Sequence, residues 1–198
     1  IRVEQLNLRA TELKLLQAQI NPHFLYNTLD TIIWLAEAGQ KEQVVMMVST
    51  LSDFFRTTLS KGRDYITVKE EATHIRSYLT IQQFRYRDIL EYEMDIPEEL
   101  EEYQILKLTL QPLVENALYH GIKNKRGLGQ ILVSGKKQGD HLVFTVRDNG
   151  KGMDPERLAY VQRLVSGELK DEDAPSGFGL FNVNQRLQLN YGPEYGLI

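Results

Sequence analysis

The chain has 198 residues, of which 42% are apolar, 25% charged and 9% aromatic. Such a composition excludes a disordered or collagenous polypeptide. Lys and Arg number 23 against 27 Asp and Glu; an acidic chain lacks the surplus cations that displace counterions, so no nucleic-acid partner is expected. With no cysteine, a disulfide framework, thiol catalysis and cysteine-held metal centres are excluded.

No apolar run approaches the roughly 18 residues needed to cross a bilayer. The start, Ile1-Arg2-Val3-Glu4-Gln5, is not a signal peptide. Helical periodicity is already running at residue 3, and Tyr195-Gly196-Leu197-Ile198 stops as a strand-like pattern begins. The sequence therefore reads as a piece of a longer protein.

Val3, Leu6, Ala10, Leu13, Gln17, Ile20 and Phe24 alternate in steps of three and four, the a/d seam of a coiled coil, which predicts a homodimer paired through N-terminal helices. A helix packed within its own domain would show the same pattern. Asn21-Pro22 interrupts the run, because proline lacks the amide donor and clashes with the preceding turn. Val44, Val48, Leu51, Phe55 and Leu59 predict a second amphipathic helix, closed by Lys61-Gly62-Arg63-Asp64. Thr67-Val68-Lys69-Glu70 is a capping box opening a third helix toward Arg87. Residues 1–87 are thus expected to be all-helical.

Residues 88–198 change texture. Leu90 to Ile96 alternates as a strand closed by Pro97, and Leu106 to Tyr119 is helical. Two strands follow, one containing Ile131 and Val133, the other Leu142, Phe144 and Val146, with Gly139-Asp140 near their turn. A polar stretch from about Lys151 to Ser176 precedes a last helix from near Gly179 to Leu189. Helices interleaved with a small sheet make this half an α+β domain.

Three clusters there carry chemistry. In Leu110-Gln111-Pro112-Leu113-Val114-Glu115-Asn116-Ala117-Leu118-Tyr119-His120-Gly121, apolar positions bury one face and leave Glu115, Asn116 and His120 on another. A Glu-Asn pair offers a base and a neutral oxygen ligand for Mg²⁺, although a solvated helix face looks the same. Asp148-Asn149-Gly150-Lys151-Gly152-Met153 follows a strand, where a carboxylate can accept from a base amino group and glycines admit a ligand to the backbone. A plain turn has the same composition. Gly177-Phe178-Gly179-Leu180 opens a helix whose free amides suit a phosphate, a weak signal when alone.

In this order, with a hairpin between the first two, the clusters resemble the N, G1 and G2 boxes of the GHKL ATPases: gyrase B, the ninety-kilodalton heat-shock chaperones, MutL and the histidine kinases. That resemblance implies a Bergerat-type α/β sandwich binding ATP and Mg²⁺ under a lid near residues 153–176. Asn116 would serve the metal, Asp148 the adenine, and Gly150, Gly152, Met153, Gly177, Phe178, Gly179 and Leu180 the remaining contacts. His120 would reach the phosphates or Glu115, or else cap the helix end. Tyr119 stands where related kinases carry a cation, a role left to Lys123 or Lys125.

Gln17-Ala18-Gln19-Ile20-Asn21-Pro22-His23-Phe24-Leu25-Tyr26-Asn27-Thr28-Leu29 resembles the phosphoacceptor box of LytS/YehU-type sensor histidine kinases. The likeness runs from Leu13 to Leu197 and implies a two-component kinase. Its partner would be a response-regulator receiver domain, and its anchor an inner-membrane segment upstream of this cytoplasmic portion. His23 is the implied phosphoacceptor, since a neutral imidazole nitrogen attacks phosphorus without a strong base. Phe24 replaces the acid that many histidine kinases carry after the acceptor, and Glu115 is the candidate base. His74, mid-helix among polar neighbours, and His141, at a hairpin turn, are expected at the surface. Two readings stay open beside this one: a degenerate nucleotide-binding module, and a GHKL ATPase or serine kinase without a histidine acceptor.

Overall fold

The computed structural model describes residues 22–59, 63–87, 89–123, 125–166, 168 and 179–198. The expected seam positions from Val3 to Ile20 lie outside them, as do Gly177 and Phe178. Pro22 stands at the first helical position, where a missing amide costs nothing, and α1 spans Pro22–Glu37. Its buried residues are Phe24, Thr28 and Leu35, so Phe24 is committed to the core of its own chain. Gly39, at φ 70°, turns the chain out of the helix.

Helix α2 returns as Lys41–Leu59. Its buried residues are Met47, Phe54 and Thr58, with Val44, Leu51 and Phe55 partly buried against the core. Val48 and Leu59 are exposed. The predicted stripe is therefore out of phase by about one residue, because the buried row runs 47, 51, 54, 58 and the apolar positions beside it are its flanks.

The first 87 residues are not all-helical: β1 (Tyr65–Thr67) intervenes and pairs antiparallel with β3 (Gln104–Leu106). The capping box is realised. Glu70 N donates to Thr67 Oγ1 at 3.1 Å and Thr67 N donates back to the Glu70 carboxylate at 2.9 Å, opening α3 (Val68–Arg85). Buried residues occur almost all round α3, among them Glu71, His74, Ile75, Tyr78, Leu79 and Gln82, which makes it the central helix of the molecule.

A three-stranded sheet lies beyond it. Strand β2 (Leu90–Asp95) is parallel to β4 (Gly129–Gln138), which pairs antiparallel with β5 (His141–Asp148). Leu90, Ile131 and Val133 face inward with Tyr92, Met94, Phe144 and Val146, and they share one apolar core with Phe24, Leu35, Met47 and Phe54 of the first two helices. The β1–β3 ladder and this core both cross residue 87, so packing does not follow the chain's change of texture.

The helix expected from Leu106 begins only at α4 (Gln111–Asn116) and continues as a π-helical segment, Ala117–Ile122. Leu106 itself belongs to β3, and Leu108 has φ 57°, a left-handed conformation that a leucine adopts only when held there. The buried Glu71 carboxylate accepts from Leu108 N at 3.0 Å and Leu110 N at 2.8 Å. Arg186 donates to the carbonyl of Lys107 at 2.8 Å. Lys107 Nζ in turn donates to Thr58 O at 2.7 Å, capping the end of α2. One turn thus fastens α2, α3 and the last helix, α6 (Gly179–Tyr191), preceded by α5 (Pro155–Val165).

Replacing Glu71 with Leu leaves both amides without their acceptor. A loss of about 2–4 kcal/mol is expected in urea unfolding, whereas Glu91→Leu, on the exposed sheet face, changes stability by less than about 0.5 kcal/mol.

Candidate functional site

The residues expected to carry chemistry fall on α1, on the α4–π helix, at the end of β5 and at the start of α6. His23 is exposed at the beginning of α1, one residue before buried Phe24. Phe24 stacks on Tyr78 of α3 at 5.3 Å between centroids and lies 4.9 Å from Phe54 of α2. Phe24 thus anchors the start of α1 in the core and leaves its neighbour His23 outside. Asn27, one turn on, places its carboxamide nitrogen 3.1 Å from His23 Nδ1. The two orientations of that carboxamide match the two neutral tautomers of the ring: a donated N–H leaves the ring proton on Nε2, while Oδ1 accepting from Nδ1–H leaves the lone pair on Nε2. The i, i+4 spacing was the available signal for Asn27, and the acceptor box alone assigned it no role.

The three nucleotide motifs meet on the α4–π helix. A Cβ on Gly121 would stand 2.4 Å from Asp148 Oδ1, and one on Gly150 would stand 2.4 Å from the Gly121 backbone. Only bare backbone fits between the N-box helix and the turn after β5. The turn is set by Gly150 N, which donates to Asp148 Oδ1 at 2.8 Å, and by Asn149 Oδ1, which accepts from Gln130 N at 2.8 Å. At the other end of the same helix, a Cβ on Gly179 would lie 3.3 Å from Pro112. One helix is thus flanked by Asp148 and Gly150 at its C-terminal end and by the first residue of α6 at its N-terminal end.

Asn116 and Leu180 are half-buried, whereas His120, Lys123, Gly152, Met153 and Gly179 are exposed. The Lys123 ammonium lies 5.5 Å from the Tyr119 ring centroid. A cleft of about 440 Å³ takes in Asp148 and Asn149 together with Glu91, Glu93, Gln130 and Arg147 from the outer sheet face; of the predicted nucleotide residues it contains Asp148 alone. The first half of the expected lid is helical. Asp154 Oδ1 accepts from Arg157 N at 2.8 Å to start α5, and Asn184 of α6 donates to Val165 O at 2.8 Å to hold its end.

His74 overturns its expectation. It is fully buried, stacked on Phe54 at 4.5 Å, with Nε2 2.5 Å from Gln111 Oε1. Burial holds its pKa below the ordinary imidazole value, against the opposing pull of the Gln111 hydrogen bond. Gln111 Nε2 then donates to Glu115 Oε1 at 2.9 Å. Burial raises the Glu115 carboxyl above its ordinary range, with that hydrogen bond pulling it back. The Glu115 charge also bears on the phenol of Tyr78, which burial keeps protonated. His141, at the start of β5, is exposed as expected and stacks on Tyr195 at 5.2 Å.

Two outcomes follow. Gly121→Ala, which drives a methyl into Asp148, is expected to weaken ATP binding at least about tenfold by calorimetry. Gly179→Ala, whose methyl meets only Pro112 at 3.3 Å, has a smaller effect. For His74 the depressed folded-state pKa sets the sign. Below pH of about 6.5 an unfolded histidine takes up a proton that the buried ring resists, so stability is present at neutral pH and is lost as pH falls toward the folded value. Wild type should lose up to about 1.4 kcal/mol per pH unit more than His74→Gln between pH 6.5 and 5, measured by urea unfolding.

The family models agree with this layout. Residues 11–90 match the histidine kinase family, and residues 102–195 match the "Histidine kinase-, DNA gyrase B-, and HSP90-like ATPase" family. Among curated relatives, sensor histidine kinase YesM of Bacillus subtilis is 41% identical over 98% of this chain and 32% of its own length. Sensor histidine kinase BtsS of Escherichia coli is 35% identical over 96% of this chain and 31% of its own. Sensor protein LytS of Bacillus cereus is 35% identical over 94% of this chain and 31% of its own. The chain spans about a third of the length of these relatives, and among the described residues no helix is long and apolar enough to cross a membrane. A helical segment bearing the acceptor box, joined to an ATP-binding domain of the GHKL type, places the chain in the LytS/YehU-type sensor histidine kinase family.

Proposed function

We propose that this chain is the kinase core that takes the γ-phosphoryl group of ATP onto His23 and passes it to an aspartate of a response-regulator receiver domain. Functionally the labour divides between residues 1–87, which carry the acceptor, and 88–198, which grip the nucleotide. One observation carries this reading: exposed His23 precedes buried Phe24, Phe24 stacks on Tyr78, and both rings share one core with Val114, Ala117 and Leu118 of the helix that bears Glu115 and Asn116. The helix of His23 and the helix of Glu115 and Asn116 thus pack into one shared core.

In the first step, with Asn27 on Nδ1, the Nε2 lone pair forms the N–P bond as the bond from the γ-phosphorus to the bridging oxygen breaks. ADP leaves with that electron pair, and the proton left on Nδ1 of the phosphorylated ring is the one Glu115 would take, in place of Asn27, when domain docking brings its carboxylate to the ring; a pKa raised by burial suits that role. In the second, an aspartate oxygen takes the phosphoryl group from nitrogen and the imidazole is restored. Asp148 would hold the adenine amino group, Gly150, Gly152, Met153, Gly177, Phe178, Gly179 and Leu180 the body of the nucleotide, and His120 and Lys123 its phosphates. Among the described residues no group of three or more His, Cys, Asp or Glu could hold a metal. A Mg²⁺ would therefore be held by the Asn116 carboxamide and the triphosphate oxygens, the shared coordination this cation favours, and would neutralise charge there.

Leu29, Ile33 and Trp34 of α1 and Val45, Met46 and Val48 of α2 are large apolar side chains left exposed, which supports a homodimer paired through the N-terminal helices. A membrane anchor upstream of the kinase core completes the proposal.

His23→Gln should lose all acid-labile label from γ-labelled ATP while binding nucleotide as wild type does. Asn116→Asp should weaken Mg²⁺·ATP binding itself. Acid-labile label retained by His23→Gln refutes the acceptor assignment.

A further inference from the structure

The buried polar chain that begins at His74 has no place in the steps above. Gln111 Oε1 is a carbonyl oxygen and only accepts, so the 2.5 Å contact requires the proton on His74 Nε2. With its oxygen engaged there, the Gln111 carboxamide has its nitrogen turned toward Glu115, to which it donates at 2.9 Å. Turned the other way, the amide would set Oε1 against the carboxylate, which is repulsive, and would need His74 in its other neutral tautomer to accept an N–H on Nε2. His74 Nε2–H and the Glu115 carboxylate thus hold Gln111 in one orientation from its two ends. The ring is itself located by Phe54 of α2, stacked at 4.5 Å and tilted by only 20°. The neutral ring favoured by burial agrees with this arrangement.

We propose that His74 is a positioning residue for Glu115: seated on Phe54 of α2 and donating to Gln111, it orients the carboxamide that holds the Glu115 carboxylate. The helix that returns from the acceptor segment is thereby connected, by one stack and two hydrogen bonds, to the base on the nucleotide helix. This rests on Glu115 being the base of the phosphoryl transfer, and the experiment separates the two.

Autophosphorylation kinetics with γ-labelled ATP are measured on the whole chain, with Mg²⁺·ATP-analogue binding in parallel. His74→Phe keeps the stacking area and deletes the donor; kcat should fall about tenfold with KM and nucleotide affinity within about twofold. His74→Gln restores an N–H near the Nε2 position and should recover kcat to within about threefold of wild type. In a Glu115→Gln background His74→Phe should add less than about twofold, because both act through one carboxylate. Should His74→Phe fail to fold, Gln111→Leu breaks the same link from α4 and should give the same split between kcat and KM. Equal kcat for the Phe and Gln variants of His74, or a His74→Phe loss undiminished in the Glu115→Gln background, overturns the positioning role. Wild-type kcat in Glu115→Gln alone overturns the base assignment instead.

Discussion

A phenylalanine ring one residue from the acceptor sets the terms for everything else. Phe24 is 5% exposed, enclosed by Tyr78 and Phe54, and each ring pair adds about 0.5–1.5 kcal/mol beyond the area it buries. His23 must face outward if Phe24 faces inward, since neighbours on a helix point about 100° apart. An acid at position 24, usual in many kinases, could not occupy that pocket without a counter-charge. With an aromatic there, position 24 serves as an anchor, and in the proposed mechanism the base lies on another helix. Glu115, on the helix that packs into the same core, offers a carboxyl that burial holds above its ordinary range.

The second constraint is the missing side chain at Gly121. Its backbone touches Asp148 and Gly150 more closely than any Cβ would permit, so the end of the N-box helix and the turn after β5 form one surface. The π-helical turn over Ala117–Ile122, with Lys123 N bonded to Leu118 O at 2.9 Å, occurs where this contact is made, a common place for such widened turns. The start of the same helix is fixed by the Glu71–Arg186–Lys107 turn. Residues of α2, α3 and α6 all contribute to that turn, so the helices on either side of residue 87 share their fastening.

Local signals were legible in the sequence and distant ones were not. Thr67 and Glu70 cap α3 within four residues of one another, and the 129–148 hairpin announces itself by alternation and a Gly-Asp turn; both formed as read. The false helical start at Leu106 has its cause at Glu71, 37 residues away from Leu108, where periodicity has no reach. Thr73 and Arg76 beside His74 suggest a wet face, whereas α3 is enclosed by α2, the sheet and α4. Three-residue strands such as β1 are too short for alternation to declare them. For the site, His23, Glu115, Asp148 and Gly121 were all visible as motif members. Gln111 and Asn27 carried their hydrogen bonds unnoticed inside those same motifs.

The central claim, that the exposed imidazole beside the buried phenylalanine receives phosphorus from ATP, is tested most directly by locating the phosphoryl group itself. Unaltered protein incubated with Mg²⁺ and ATP, digested at alkaline pH and sequenced by electron-transfer mass spectrometry, should carry one phosphoryl group on His23. A phosphoryl group on serine, threonine or any of His74, His120 and His141, with His23 unmodified, would contradict it.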